Sequence, residues 1–348
     1  MKPRRRWEPM PVKYWSSAGL MLTQWCNASC ASCYLRCHPG RREEMSADEA
    51  IRLWRELIDA CPHGCRIHLT GGEAFGRWDR LIELCRRASD EGLAPLANVE
   101  TNAFWASDEA VVRDRLTALA AAGVKKFVIS ADPYHQQYVP IARARLAARV
   151  GEEVFGAGRV QVRWRDWLDG GCDTDAMTDS ERAALFARYA AGGRDRMNGR
   201  AAEVLAPLLA DKTPEDLADE PCRDALLRSR HVHIGPGGWI MPGVCAGIIV
   251  GRADKRRSVG ECWQRLVDDH AGRPVVGALA GSGPTALLPM ARQAGFTPAE
   301  KYADKCHLCW DIRRHLQPCG PRGDELGPGE LYEPASVPGA AAPAPRSS

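Results

Sequence analysis

The chain has 348 residues and no long apolar run. Its basic start, MKPRRRW, leads into prolines rather than into an apolar segment. A secretory signal and a membrane span both need such a segment, so neither is expected. Net charge is also scarce. Lys+Arg total 47 against 44 for Asp+Glu, a balance of +3. That balance argues against a nucleic acid or membrane partner. Hydrophobic residues make up 45% of the chain, enough for one large core or two smaller ones. The protein reads as folded and cytosolic.

Cysteine is the residue in surplus. There are 14, and in a cytosolic chain they are not expected as disulfides. They are unevenly spread. Cys26, Cys30, Cys33 and Cys37 lie near the start, and Cys306, Cys309 and Cys319 near the end. Cys222 and Cys245 fall between. Clustered cytosolic cysteines point to metal binding or catalysis.

The first half of the chain alternates between strand and helix patterns. Strands are expected at AGLMLTQ, at 66–75, at 96–104, at 125–132 and at 159–168. Helices are expected over 46–61, capped by Ser46, over 77–92, closed by Gly92, and over 107–123, closed by Gly123. A further helical stretch runs to about residue 149. Strands separated by helices of this length form βαβ units and a parallel sheet. The expected fold class is therefore α/β, and five or six units suit a partial or closed (β/α) barrel over 18–170. Residues 171–221 read as a helical connection. Residues 222–320 read as a smaller second domain, with a turn-rich GPGGWIMPG, and 333–348 as a disordered low-complexity tail.

The cysteines Cys26, Cys30 and Cys33 follow the first strand at C-x3-C-x2-C spacing. Zinc sites more often join two C-x2-C or C-x2-H pairs across a longer loop, although His38 is near enough to consider. Three thiols this close suit one face of a four-iron cluster, leaving one iron without a protein ligand. An open metal position is where a substrate or cosubstrate binds. At the end of the next strand stands Gly71-Gly72-Glu73. Glycine there lets backbone approach a ligand closely.

The two motifs together resemble those of the radical S-adenosylmethionine (SAM) enzymes, over residues 18–170. That resemblance implies a [4Fe–4S] cluster on Cys26, Cys30 and Cys33. SAM would chelate the unique iron through its methionyl amine and carboxylate. Reductive cleavage would give a 5′-deoxyadenosyl radical that abstracts hydrogen from a substrate. Glu73 would touch the methionyl amine. Asn102, Ser130 and Asp132, polar residues at later strand ends, could approach the ribose or carboxylate. The position before the third cysteine, usually aromatic in that family, is Ser32, with Tyr34 just after. An external electron donor such as a flavodoxin or ferredoxin is implied.

The loop DPYHQQY also follows a strand end, and brings Tyr134 and His135 toward the barrel mouth. These are candidates for a substrate contact or proton donor. The alternative is a helix N-terminus with satisfied polar groups.

The second cysteine set is Cys222, Cys245, Cys306 and Cys309. With the glycine turn before Cys245, it resembles the C-terminal SPASM or twitch extension of radical SAM enzymes. The resemblance implies one auxiliary [4Fe–4S] cluster on these four residues, with Cys319 as an alternative ligand. A structural zinc ion on the same four thiols is the competing reading. Cys262 is expected on the core face of a helix. The substrate is a peptide or a small molecule. The alternative function is a non-enzymatic Fe–S or zinc protein for electron transfer or scaffolding.

Overall fold

The computed structural model describes residues 10–93, 95–243, 245–319 and 325–333. The basic start and the low-complexity tail from residue 334 lie outside the described residues. Five parallel strands come first: β1 (Ser17–Met21), β2 (Arg66–Thr70), β3 (Leu96–Thr101), β4 (Val124–Ile129) and β5 (Val160–Val162). Four helices join them: α1 (Ala47–Ala60), α2 (Trp78–Asp90), α3 (Glu109–Ala121) and α4 (Ile141–Phe155). Side-chain caps start α1 and α3, at Ser46 and Asp108. Ser46 Oγ accepts from the Glu49 N–H at 3.1 Å and starts α1. Ala50, Ile51, Leu53, Trp54 and Leu57 then fall on one buried face.

Three more strands extend the sheet beyond β1: β6 (His231–Ile234), β7 (Trp239–Pro242) and β8 (Gly251–Arg252). The order is β5-β4-β3-β2-β1-β6-β7-β8. Strand β6 is parallel to β1, and β7 and β8 return antiparallel. The fold is α/β, with a mostly parallel sheet in sequential βα order. Segments 18–170 and 222–320 thus share one sheet and one continuous hydrophobic core. Among the described residues no helix is long and apolar enough to cross a membrane.

The stretch 159–168 departs from the expected strand. Only Val160–Val162 is extended, and Arg165–Gly170 turns into a helix. That turn buries Trp167 and Leu168, and Trp167 Nε1 donates to Gln136 Oε1 at 2.9 Å. Burial of two large side chains outweighs the local strand propensity.

The end of β2 locks onto the segment entering the cysteine loop. Gly72 N–H donates to Thr23 O at 2.6 Å, and Glu73 N–H to Trp25 O at 2.8 Å. A Cβ on Gly72 would lie 2.0 Å from Trp25 O, and one on Gly71, at φ +136°, would lie 2.4 Å from Thr23 O. The glycines therefore clear the chain's own backbone beside the cavity. Gly72→Ala is expected to cost about 3 kcal/mol, the upper end for overpacking, because a backbone carbonyl cannot swing aside. A thermal melt of the metal-free variant checks this.

Candidate active site

A cavity of about 320 Å³ opens at the C-terminal ends of the parallel strands. Cys26, Cys30 and Cys33 line it, together with Gly71, Gly72, Asn102, Ser130, Asp132 and His135. Residues drawn from four separate segments of sequence thus meet in one place. Asn102 ties the cysteine loop to β3: its Nδ2 donates to Asn27 Oδ1 at 2.8 Å and faces Cys26 Sγ at 3.7 Å. Asp132 accepts from the Tyr134 and His135 N–H groups at 3.0 and 2.9 Å, and sits 2.7 Å from His135 Nδ1. Burial works against a charged imidazole here. Even so, Asp132 and Cys30 hold His135 well above its ordinary range.

Two residues read from sequence as site members stand elsewhere. Glu73 is 1% exposed and absent from the cavity wall. Its carboxylate accepts from Phe75 N–H (3.2 Å), Thr101 Oγ1 (2.8 Å) and Asn102 N–H (2.7 Å). Glu73 is thus a brace between the ends of β2 and β3. Burial pushes its carboxyl up to about 7 despite those three donors. Tyr134 is fully buried and packs edge-on against Trp164 and Phe186. The turn capped by Asp132 sends Tyr134 into the core and leaves His135 at the cavity.

Several residues at the cavity were not singled out from sequence. Cys37 lines it beside Cys33. The hydrogen bond with Cys37, opposed by burial and helped by Arg200, lowers the Cys33 thiol to about 5. Arg200 is 5% exposed. Its guanidinium donates to Cys30 O at 3.0 Å and to Cys37 O at 2.9 Å. Its Nε is buried without a hydrogen-bond partner among the described residues. Nothing in sequence marks a lone arginine 163 positions from Cys37 as its neighbour.

Asp195, between Arg194 and Arg196, also lines the cavity. Burial, with the charge of Asp132, pushes its carboxyl up to about 6, from an ordinary 3.8. Between those values the folded chain holds the proton more tightly than the unfolded chain. The Asp195 contribution to stability is therefore lost as pH rises through that window. Asp195→Asn is expected to melt higher than the parent at neutral pH, by at most about 3 kcal/mol, and alike at about pH 4.

The second cysteine set also converges. Cys222, Cys245, Cys306 and Cys309 line one small cavity with Arg313 and Lys305. Cys306 and Cys309 share a face of the helix Lys305–Leu316, whose start is capped by Asp304 accepting from His307 N–H at 2.8 Å. Cys319 is exposed and outside this cavity, and Cys262 is buried under its own helix. Arg313 is 1% exposed. It donates to Cys309 Sγ (3.2 Å), Ala246 O (2.9 Å), Asn198 Oδ1 (3.1 Å) and the Tyr332 hydroxyl (2.6 Å). None of these partners is a carboxylate. A buried guanidinium needs a compensating anion, and metal-bound thiolates would supply it.

No protein-family profile matches the chain, and no curated protein matches it. Solved structures of low similarity do. BtrN in complex with AdoMet and 2-DOIA aligns at TM-score 0.41 and 13% identity, over 75% of this chain and 90% of that one. SuiB of Streptococcus suis bound to S-adenosylmethionine aligns at TM-score 0.40 and 14% identity, over 74% of this chain and 65% of that one. Native anSMEcpe with bound AdoMet and Cp18Cys peptide aligns at TM-score 0.41 and 11% identity, over 87% and 97%. These scores and identities are too low to carry an activity across.

Proposed function

We propose that the protein is a radical SAM enzyme with one auxiliary iron–sulfur cluster, acting on a C–H bond of a peptide or small molecule. The observation that carries this reading is the convergence at the main cavity. Three cysteines and the strand-end polar groups meet there, and the buried Arg200 holds the cysteine loop through the Cys30 and Cys37 carbonyls. An anionic cluster on Cys26, Cys30 and Cys33 fits that donor set, because Arg200 lies against the loop that would carry it. When bound and reduced, the cluster supplies the electron that splits SAM into methionine and a 5′-deoxyadenosyl radical.

The chain's own residues would do the rest. Gly71 and Gly72 put backbone on the cavity wall, because their missing Cβ atoms let it pack against Thr23 and Trp25. Asn102, Ser130 and Asp132 offer polar contacts along the opposite strand ends. Glu73 keeps the ends of β2 and β3 in register. His135, held by Asp132, stands beside Cys30 on the cavity wall. The second cysteine cavity, with Arg313, would hold the auxiliary cluster.

Iron and sulfide counts test this reading. The anaerobically reconstituted chain is expected to hold about eight irons, and a variant lacking Cys26, Cys30 and Cys33 about four. Zinc in place of iron in that variant would make the second site structural. No iron in the full chain would overturn the reading.

A further inference from the structure

Beneath the cysteine cavity lies a group of side chains that the proposed function does not use. Strands β2, β1 and β6 are neighbours, and Gly19 on β1 is in register with both His68 and His233. The two imidazoles lean toward each other over the glycine. A Cβ on Gly19 would lie 2.5 Å from His233 Cδ2 and 2.6 Å from His68 Nε2. Glycine at this position is what admits them both. His231, two residues before His233 and on the same sheet face, stacks on His68 with ring centroids 5.1 Å apart. It meets His233 edge-on at 4.7 Å. One ligand nitrogen from each of the three lies within 4.8 Å of the other two.

The outer hydrogen bonds fix which nitrogens face inward. His233 Nδ1 lies 2.6 Å from Gly243 O. A carbonyl can only accept, so the proton is on Nδ1 and the Nε2 lone pair is an acceptor, faced by the Tyr34 hydroxyl at a long 3.5 Å. His231 Nδ1 is held by Ser17 Oγ at 3.1 Å, which turns its Nε2 toward His233 Nε2 at 3.5 Å. That separation is long for a hydrogen bond between ring nitrogens. It is close to the edge of a tetrahedron with metal–nitrogen bonds of about 2.1 Å, which is about 3.4 Å. Histidine ligands to metals commonly donate their other ring N–H to a carbonyl or hydroxyl, as His233 does here. Glu100 Oε1 stands 3.8 Å from His68 Nε2. Burial, before any charge effect, holds all three imidazoles down near 4, so they are neutral at neutral pH.

We propose that His68, His231 and His233 form a binding site for one divalent transition-metal ion of the zinc class, with the remaining coordination position facing Glu100. The site ties β6 to β2 across β1, where the last three strands join the sheet. No cysteine takes part, so the site stands or falls separately from the proposed function.

The test uses the full chain with its iron–sulfur content reconstituted and one equivalent of zinc added. X-ray absorption at the zinc edge is expected to show nitrogen and oxygen neighbours at about 2.0–2.1 Å with imidazole scattering. Zinc is also expected to raise the melting temperature. His231 is half-buried, so His231→Gln should fold, and it is expected to bind zinc at least tenfold more weakly. Sulfur neighbours at about 2.3 Å would overturn the proposal, because the ion would then be on cysteine. So would a failure to retain zinc, or an unchanged affinity in His231→Gln.

Discussion

Replacing Cys30 with alanine is expected to bring SAM cleavage down to the reagent background. Cys30 is one of the three motif thiols on the cavity wall, and a cluster held by two would not keep the open iron poised for SAM. The loss should not come from unfolding. Arg200 grips this loop through the backbone carbonyls of Cys30 and Cys37, and alanine keeps both. The metal-free variant should therefore melt within about 1 kcal/mol of the parent, the range for a small, volume-reducing change at a loop. Cys37→Ala is the matching control. It removes a cavity thiol that lies outside the three-cysteine motif, and should leave cleavage in place. Deoxyadenosine production measured by chromatography separates the two. Equal loss in both variants would make Cys37 part of the metal site.

The second large effect belongs to Arg313. This side chain is buried, carries a fixed positive charge and touches Cys309 Sγ. Arg313→Met is expected to weaken metal retention at the second cysteine set by 10–100-fold, the usual cost of removing an outer partner of a metal ligand. Arg313→Lys should not restore it. An ammonium cannot reach Ala246 O, Asn198 Oδ1 and Cys309 Sγ together as the planar guanidinium does. In both variants SAM cleavage should persist while substrate turnover falls. Cys306→Ala should behave in the same way. Iron analysis and deoxyadenosine yield, measured on one preparation, check the split. Complete loss of both activities would mean that this region is needed for folding rather than for an electron or substrate role.

The parts legible in sequence were those with local physical signatures. Helices α1, α2 and α3 carry caps and apolar periods, and their ends fall within a few residues of expectation. The cysteine loop and the Gly-Gly turn are short motifs in a strand context. The later strands were not legible. HVHI and WIMP are four residues each, separated by a tight glycine turn, and β8 has two. Such pieces show no period, and only the pairing of β6 with β1, β7 with β6 and β8 with β7 reveals them. Tyr134 and His135 looked alike in sequence. The Asp132 cap decides between them, because it fixes which side chain turns inward. The neighbours of Glu73 in the fold, Thr101 and Asn102, were not legible, because they are about 30 residues away and meet it only through β3. Arg200, Arg313 and the three histidines were silent for the same reason. Arg200, Arg313 and His68 stand alone in their segments, His231 and His233 share one short strand, and the fold brings them to their partners.

The proposed activity is cleavage of SAM at the three-cysteine cavity. Anaerobic incubation of the reconstituted protein with SAM and dithionite tests it most directly. The account predicts 5′-deoxyadenosine and methionine in equal amounts from the parent chain, and neither from Cys30→Ala. No deoxyadenosine from a parent chain that holds its full iron complement would contradict it.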